Sequence, residues 1–582
     1  MPTLIYGTRR ILLKTACLKQ AVDLTAHNHN KRALLIVPEQ TKMAMEQAWL
    51  DLSAAPGLML AEVLSFRRLA WRLLGEVGRQ PLNPIDQVGR AMLIHRVLHK
   101  EQSRLHAFAS LAGKPGFVNQ IAAVLGDLKR YRISEAQLLL AADQVGDKAL
   151  RTKSQDLARV LAGYDEALGE TGLTDAEDDL NRLADVLQLL AGMPEQDWPW
   201  PLSRLRWLCR TQVWITGFGE LRDFTPQEDA VIAGLSAIVE HLTLTVAADA
   251  VPADKAALDH GADAFVAGRK TTLRLQGLLP GLKLIALDRP ASGLPAQIIS
   301  LLRTGHLQEQ QTAAEMQDGP ACRLHLVQAG SADDELTWVA GEIRRLVQLD
   351  GYRYRDVTIA VSDLSGMTPR LRPVFREYGI PLFMDMERPL SGTPFMRYVL
   401  GLLDTGLSNW TRQSLMSCLR SGICALSADE VDRLENAWLA RGLFRKDRLF
   451  TDQFYREFDL PSEDPAVADD PIDKESDTQQ LEPSAETAIT DELLALRDRA
   501  LAPLRQVLDA LEEAPDITTK VAVLRRFFVN EGIPDRIDRR VGLLLAADEM
   551  DVAVALAQSW NALGRVLDQL LQLSPDLPAS LQ

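Results

Sequence analysis

The chain has 582 residues, 47% hydrophobic and 25% charged, with a formal net charge of −15. This is an ordinary globular composition, with apolar material for several cores and about four domains at roughly 150 residues each. Taken alone, the acidic balance argues against a chain that coats nucleic acid or an anionic membrane. Five scattered cysteines, Cys17, Cys209, Cys322, Cys418 and Cys424, form no CxxC pair, which excludes a disulfide framework and a zinc ribbon and fits a reducing cytoplasm. No run of about 18 uncharged apolar residues exists to span a membrane.

Residues 1–22 hold Arg9, Arg10, Lys14 and Lys19 and no acid, as a targeting peptide would. No small-residue cleavage site follows a sustained apolar run, so Leu4-Ile5-Tyr6-Gly7 reads instead as a first strand and turn. Further short apolar runs predict strands at Thr3–Tyr6, Ala33–Val37, Val213–Thr216, Leu242–Val246, Leu324–Val327 and Val357–Val361. They alternate with helical patterns, the sign of α/β layers with parallel strands.

Between Pro81 and Arg210 the pattern is amphipathic helix, as at Ile121, Val124, Leu125 and Leu128, and reads as a helical insertion. A second α/β unit is expected near Cys322, with Leu336, Val339, Ala340, Ile343, Leu346 and Val347 on one helix face. From Met396 the pattern is again helical and ends in a stripe of Trp560, Leu563, Val566, Leu567 and Leu570. Residues 457–492 interrupt it with Pro461, Pro465, Pro471 and Pro483 and with 13 acids against one base, Lys474; a disordered loop is expected there. That segment carries most of the net charge, so the remainder is close to neutral and its local arginine clusters are compatible with a nucleic-acid channel.

The domains are therefore expected at 1–80 with 205–300 (first α/β domain), 81–204 (helical insertion), 320–395 (start of a second α/β domain) and 396–582 (second helical insertion). A unit of two or three strands is incomplete, so a continuation beyond Gln582 is expected.

Gly7 to Thr15, GTRRILLKT, stands after the first strand, where a phosphate-binding loop would lie. A working loop needs GxxxxGK[ST], whose glycines let backbone N–H groups approach the phosphates. Lys14 and Thr15 are present, but Leu13 replaces the second glycine and Gly7 lies one residue too far upstream. An eroded loop and a loop working in a shifted register both remain open. The strand Val213-Trp214-Ile215 runs into Thr216-Gly217-Phe218 with no carboxylate to hold magnesium; Glu220 and Asp223 lie just beyond.

In EVLSFRRLAWRLL, Phe66 and Trp71 interleave with Arg67, Arg68 and Arg72. That mixture suits bases stacked on aromatics beside guanidinium–phosphate contacts, and equally a helix with a packed face and solvated arginines. His95 and His99 have zinc-compatible spacing but no third ligand. Cys418 and Cys424 lack the companions an iron–sulfur cluster requires. Lys129, Arg130 and Arg132 beside Tyr131 fit a nucleic-acid contact or a helix end that favours cations.

The order of LLIVPEQ, EVLSFRRLAWRLL, KPGFVNQIAAVLGDLKRYRIS, VWITGFGELRDFTPQE, DELTWVAGEIRRLVQLDGYRYRDVTIAVSDL and REYGIPLFMDMERPLSGTPF resembles the AddB (RexB) family, one of the two components of the AddAB (RexAB) helicase-nuclease. The resemblance implies a superfamily 1 helicase-like α/β fold of the RecA-like P-loop type. It also implies a bacterial complex for double-strand break repair, in which an AddA-type motor protein is the partner and the AddB-type protein guides one unwound DNA strand and senses the Chi sequence. Matching strand-reading positions are Gln40, Phe66, Arg68, Trp71 and Phe218. Lys42 stands where the family commonly has a small hydroxyl and Thr216 where it commonly has an Asp; many members keep an intact GxGK[ST] loop. An iron–sulfur cluster is implied only in a C-terminal nuclease domain, which these residues do not contain, and ATP with magnesium is doubtful. The remaining alternatives are an active ATPase or a scaffold for the motor protein.

Overall fold

The computed structural model describes residues 2–27, 31–53, 57, 60–78, 84–218, 223–254, 258, 265–287, 325–384, 389–456 and 485–573. It divides into two compact units, residues 1–322 and 323–582.

The first unit opens with β1 (Thr3–Gly7), α1 (Arg10–His27), β2 (Arg32–Ile36), α2 (Lys42–Ser53), β3 (Ala61–Leu64) and α3 (Phe66–Glu76). A helical block follows: a two-residue strand β4 (Pro84–Ile85), α4 (Gln87–Glu101), α5 (Pro115–Arg130), α6 (Glu135–Gln144), α7 (Lys148–Thr171), β5 (Thr174–Asp175) and α8 (Ala176–Ala191). The sheet resumes with β6 (Thr211–Ile215), α9 (Pro226–Ile238), β7 (His241–Ala247), α10 (Val266–Leu278) and β8 (Lys283–Ala286).

Six strands form one sheet in the order β3-β2-β6-β7-β1-β8, and every neighbouring pair is parallel. The inner strands are covered on both faces, which is why they read as unbroken apolar runs. Leu4, Leu34, Ile36, Val213 and Ile215 pack with Leu69, Leu73, Leu187 and Leu235 on one side. Ala33, Leu35 and Trp214 pack with Cys17, Leu18 and Trp49 on the other. The strands at Thr3, Ala33, Val213 and Leu242 thus lie where the sequence predicts. β3 and β8 are the two edge strands. A Cβ on Gly268 would lie 1.9 Å from the Ala247 carbonyl oxygen, so only glycine lets α10 cross the end of β7 this closely.

The helical block is fastened by charge as well as by leucines. Asp175, 1% exposed, accepts from Tyr164 Oη at 2.9 Å and pairs with Arg90. Lys129 Nζ lies 2.7 Å from Asp178, 2.8 Å from Asp165 and 5.0 Å from the Tyr164 ring centroid. The buried Asp156 carboxylate accepts the backbone N–H groups of His106, Ala107 and Phe108 at 3.0, 2.7 and 3.1 Å, which clamps that loop. Ile121, Leu125 and Leu128 face the core, whereas Val124 is exposed.

The second unit is helical throughout its described residues. α11 (Ala332–Leu349) and α12 (Leu364–Glu377) meet through Leu336, Ala340, Ile343, Leu371 and Phe375. After them, residues 394–573 form a helical assembly around Phe395, Leu402, Trp438, Leu501, Phe528 and Leu556, with Leu563 and Leu567 of the expected last stripe buried in it.

Two expected strands are corrected by the structure. Leu324 lies outside the described residues, and Leu326 and Val327 are exposed without a strand partner. Residues 357–361 also belong to no sheet; Val357 and Ile359 instead pack on the α11–α12 pair. Of the acidic segment, 457–484 lie outside the described residues, and a helix already begins at Ala485, ahead of the expected resumption at Leu493.

Candidate nucleic-acid interface

In parallel α/β sheets, ligand contacts gather beyond the carboxyl ends of the strands, and this edge collects most of the residues singled out above. β2 ends in Val37-Pro38 and a single 3₁₀ turn, Glu39–Thr41, that presents Gln40 to solvent. β3 ends at Ser65, which caps α3 by accepting the Arg68 N–H at 3.3 Å. The helix buries Phe66, Leu69, Ala70, Leu73 and Leu74 and leaves Arg67, Arg68 and Trp71 outside. Trp71 is 61% exposed.

Glu39 joins the two loops: it accepts from Arg68 Nε at 2.7 Å and from the Ser65 hydroxyl. Partial burial would raise its pKa, but those two bonds and the positive charges of Arg68 and Lys42 outweigh it and hold the carboxylate below its ordinary value. Gln40 is thereby held beside the first turn of α3. Lys42, at the head of α2, donates to Glu46 at 2.6 Å.

The five strand-reading candidates separate. Gln40, Arg68 and Trp71 share this exposed edge. Phe66 and Phe218 are 3% and 7% exposed and form a three-ring cluster with Phe224, with centroids 5.2 Å apart for Phe66–Phe218 and 5.5 Å for Phe218–Phe224. In this structure those two rings stack on protein and hold up the floor beneath the edge. Arg72 is also committed to the fold, between Glu62 and Glu76 and 5.9 Å from the Trp207 ring.

Glu39 and Ser65 join the site without having stood out in the sequence. Their signal is nonetheless there: an acid directly before Gln40, and a serine three residues before Arg68 in capping position.

The eroded loop has a physical form. Gly7 closes β1 and α1 begins at Arg10, so only Thr8 and Arg9 separate strand from helix. Leu13 lies inside the helix, 2% exposed, and the Thr15 hydroxyl donates to the Ile11 carbonyl at 2.7 Å. These residues do not fit the backbone cradle that a nucleotide triphosphate with magnesium requires. Lys14 runs alongside the end of β6, where a Cβ on Gly217 would lie 3.8 Å from Lys14 Cε and 3.0 Å from Pro38 Cδ. Gly217 has φ +86°, so both its backbone and its surroundings exclude a side chain. The Thr216 hydroxyl accepts from Thr245 at 2.7 Å. Glu220 lies outside the described residues, and Asp223 accepts from Thr271 and Arg274 at 2.6 and 2.7 Å.

The other candidates are engaged elsewhere. Lys129, Arg130 and Arg132 pair with Asp178, Glu177 and Asp185, so this basic run is internally neutralised. His95 and His99 are exposed, and among the described residues no group of three or more metal-ligating side chains forms. Burial pushes the Cys418 and Cys424 thiols up, leaving them inert core groups. No helix among the described residues is long and apolar enough to cross a membrane.

A helical block inserted into a six-stranded parallel sheet, with polar and aromatic groups on its carboxyl edge, defines an α/β protein built to bind along that edge. The family described as ADDB, N-terminal matches residues 4–285, which span this sheet and its insertion. Over 97% of its length the chain is 30% identical to the B component of the ATP-dependent helicase/deoxyribonuclease of Heliobacterium modesticaldum, covering 44% of that protein. It is 29% identical to the protein of the same name from Pelotomaculum thermopropionicum, covering 46%, and 28% identical to that from Moorella thermoacetica, covering 47%. The chain belongs to this AddB family of ATP-dependent helicase/deoxyribonuclease components, and it spans a little under half the length of the relatives it matches.

Proposed function

We propose that the chain is a superfamily 1 helicase-like, non-motor DNA-guiding component of a helicase-nuclease complex in double-strand break repair by homologous recombination. It acts in the cytoplasm with an AddA-type motor protein and senses Chi as the unwound strand passes. The observation that carries this reading is the exposed edge where Arg68 and Trp71 stand one helical turn apart beside Gln40. An indole face stacks on a base of any sequence, and a guanidinium one turn away meets the adjoining phosphate. Phe66 and Phe218 support the edge from below.

Strand translocation is assigned to the motor partner, because Leu13 and the short β1–α1 junction offer no phosphate cradle. A second reading, ATP turnover through Lys14, draws on the placement of that lysine beside Gly217. Its signature is DNA-stimulated phosphate release abolished by Lys14→Ala.

The main test is a fluorescence titration with single-stranded oligonucleotides. Trp71→Ala should weaken binding by about 1–3 kcal/mol. Arg68→Ala should weaken it across all sequences and flatten the salt dependence. If both variants bind as the parent does, the edge is not the DNA site. A preference for Chi-bearing over scrambled strands tests the sensing role.

A further inference from the structure

The second unit carries a site outside the residues that the family model matches. Two adjoining depressions of about 500 and about 360 Å³ share the side chains of Phe450 and Arg505, a volume typical of small-molecule pockets, roughly 300–1,000 Å³. Phe450 is fixed from below by Trp410, which it meets edge-on at 5.1 Å with an 86° interplanar angle. The Arg505 guanidinium lies 4.8 Å from the centroid of the Phe450 ring. Asn409 and Trp410 on this rim both have left-handed backbone, with φ 53° and 62°. A bulky residue adopts that conformation only where its surroundings enforce it, and here it places the indole under Phe450.

The cations around the ring are unequally satisfied. Arg497 is paired with Asp452 and Asp498, each at 2.7 Å, and Lys446 with Asp509 at 2.7 Å. Arg505 has only a 3.5 Å contact to the same Asp509. Exposed Arg445 meets no carboxylate within 4.0 Å among the described residues. Two guanidiniums therefore hold free donors beside an aromatic ring. Asp447 on the same rim limits the positive excess to about what one phosphodiester would neutralise, and disfavours a polyphosphate.

We propose that this pocket binds one nucleotide of a single-stranded nucleic acid, its base on the Phe450–Arg505 pair and its phosphate between Arg445 and Arg505. The same chemistry would take a free nucleoside monophosphate, and the assay separates the two sources.

The experiment uses the full chain carrying Arg68→Ala and Trp71→Ala, so that the outcome is independent of the first unit's edge. Labelled oligothymidylate is titrated by anisotropy at several salt concentrations, with and without Arg445→Ala and Arg505→Ala together. The added pair should weaken binding at least about fivefold and flatten the salt slope by about 1.4, at about 0.7 per lost phosphate contact on a single strand, with the melting temperature unchanged. Arg505→Lys, which keeps the charge and loses the planar face, should recover the slope but not the affinity. A 5-iodouracil strand should crosslink to the peptide that contains Phe450. Competition by thymidine monophosphate assigns a free-nucleotide site; its failure assigns a strand contact. Unchanged affinity and slope in the paired variant overturn the proposal. So does polyglutamate that binds as tightly as the oligonucleotide and is lost in the same variants, since the pocket would then read charge alone.

Discussion

The sheet of the first unit and the helical assembly of the second are built from similar apolar runs but depend on different kinds of neighbour. β1 lies between β7 and β8, and β2 between β3 and β6, so most strand partners are far away in sequence. In the second unit, Val357 and Ile359 sit in a run with strand-like composition, yet among the described residues no strand pairs with it, and the run packs on its adjacent helices instead. A strand needs a partner for its backbone hydrogen bonds, whereas a helix satisfies its own. Apolar runs therefore become strands only where distant segments complete the ladder.

The largest effect that should separate the two regions comes from their buried tryptophans. Trp214 in β6 is 2% exposed and packs with residues of β2, α1 and α2. Trp214→Ala should cost about 3–5 kcal/mol and release amide protection in segments as distant as residues 32–36 and 241–247. Trp438, fully buried, donates from Nε1 to Tyr455 Oη at 2.8 Å. Trp438→Ala should cost a similar amount, but the exchange it releases should concentrate in the helices between residues 394 and 513. Hydrogen exchange read by mass spectrometry tests both, and the reverse pattern would remove the distinction.

A second contrast lies within the first unit, between its apolar sheet and its charge-fastened insertion. Lys129 is 6% exposed in its side chain between Asp178 and Asp165. Lys129→Met would leave those acids without their cation, at a cost of about 3 kcal/mol near neutral pH. Burial already raises the Asp178 pKa, with Lys129 the chief opposing influence. Without the lysine, Asp178 would take up a proton more readily as pH falls, so the defect should shrink towards acid. A loss independent of pH in thermal unfolding would show that packing, not charge, holds the insertion.

The central strands were legible because burial on both faces turns them into continuous apolar runs, as at Leu34–Val37. β3 was not: Ala61–Leu64 reads as the start of the helical motif, because an edge strand alternates buried and half-exposed positions over only four residues. β8 is largely exposed and has little apolar signal. At the site, the i, i+3 spacing of Arg68 and Trp71 correctly put both on one outward helix face. The burial of Phe66 and Phe218 was not legible, because it depends on Phe224 meeting them in space, and the role of Glu39 depends on β2 and β3 being neighbours.

The smallest predicted effect tests whether the sheet's carboxyl edge is itself tuned by charge. Asp229, in the first turn of α9, is pushed up to about 6 from 3.8, chiefly by burial, with the Arg274 guanidinium opposing and Asp223 and Glu228 adding to the rise. A carboxyl whose folded pKa lies above its unfolded value binds its proton more tightly when folded. Its contribution is therefore fully favourable below about pH 4 and is lost as pH rises through 6. Asp229→Asn cannot ionise and escapes that loss, so from pH 4.5 to 7 its stability should fall less than the parent's, by about 2 kcal/mol at one pKa unit per 1.36 kcal/mol. Arg274 retains Asp223 at 2.7 Å in the variant, so the guanidinium is not stranded. Parallel pH profiles of the melting temperature would mean that Arg274 fully compensates the buried carboxylate, and that this edge, like the insertion, is held by paired charge.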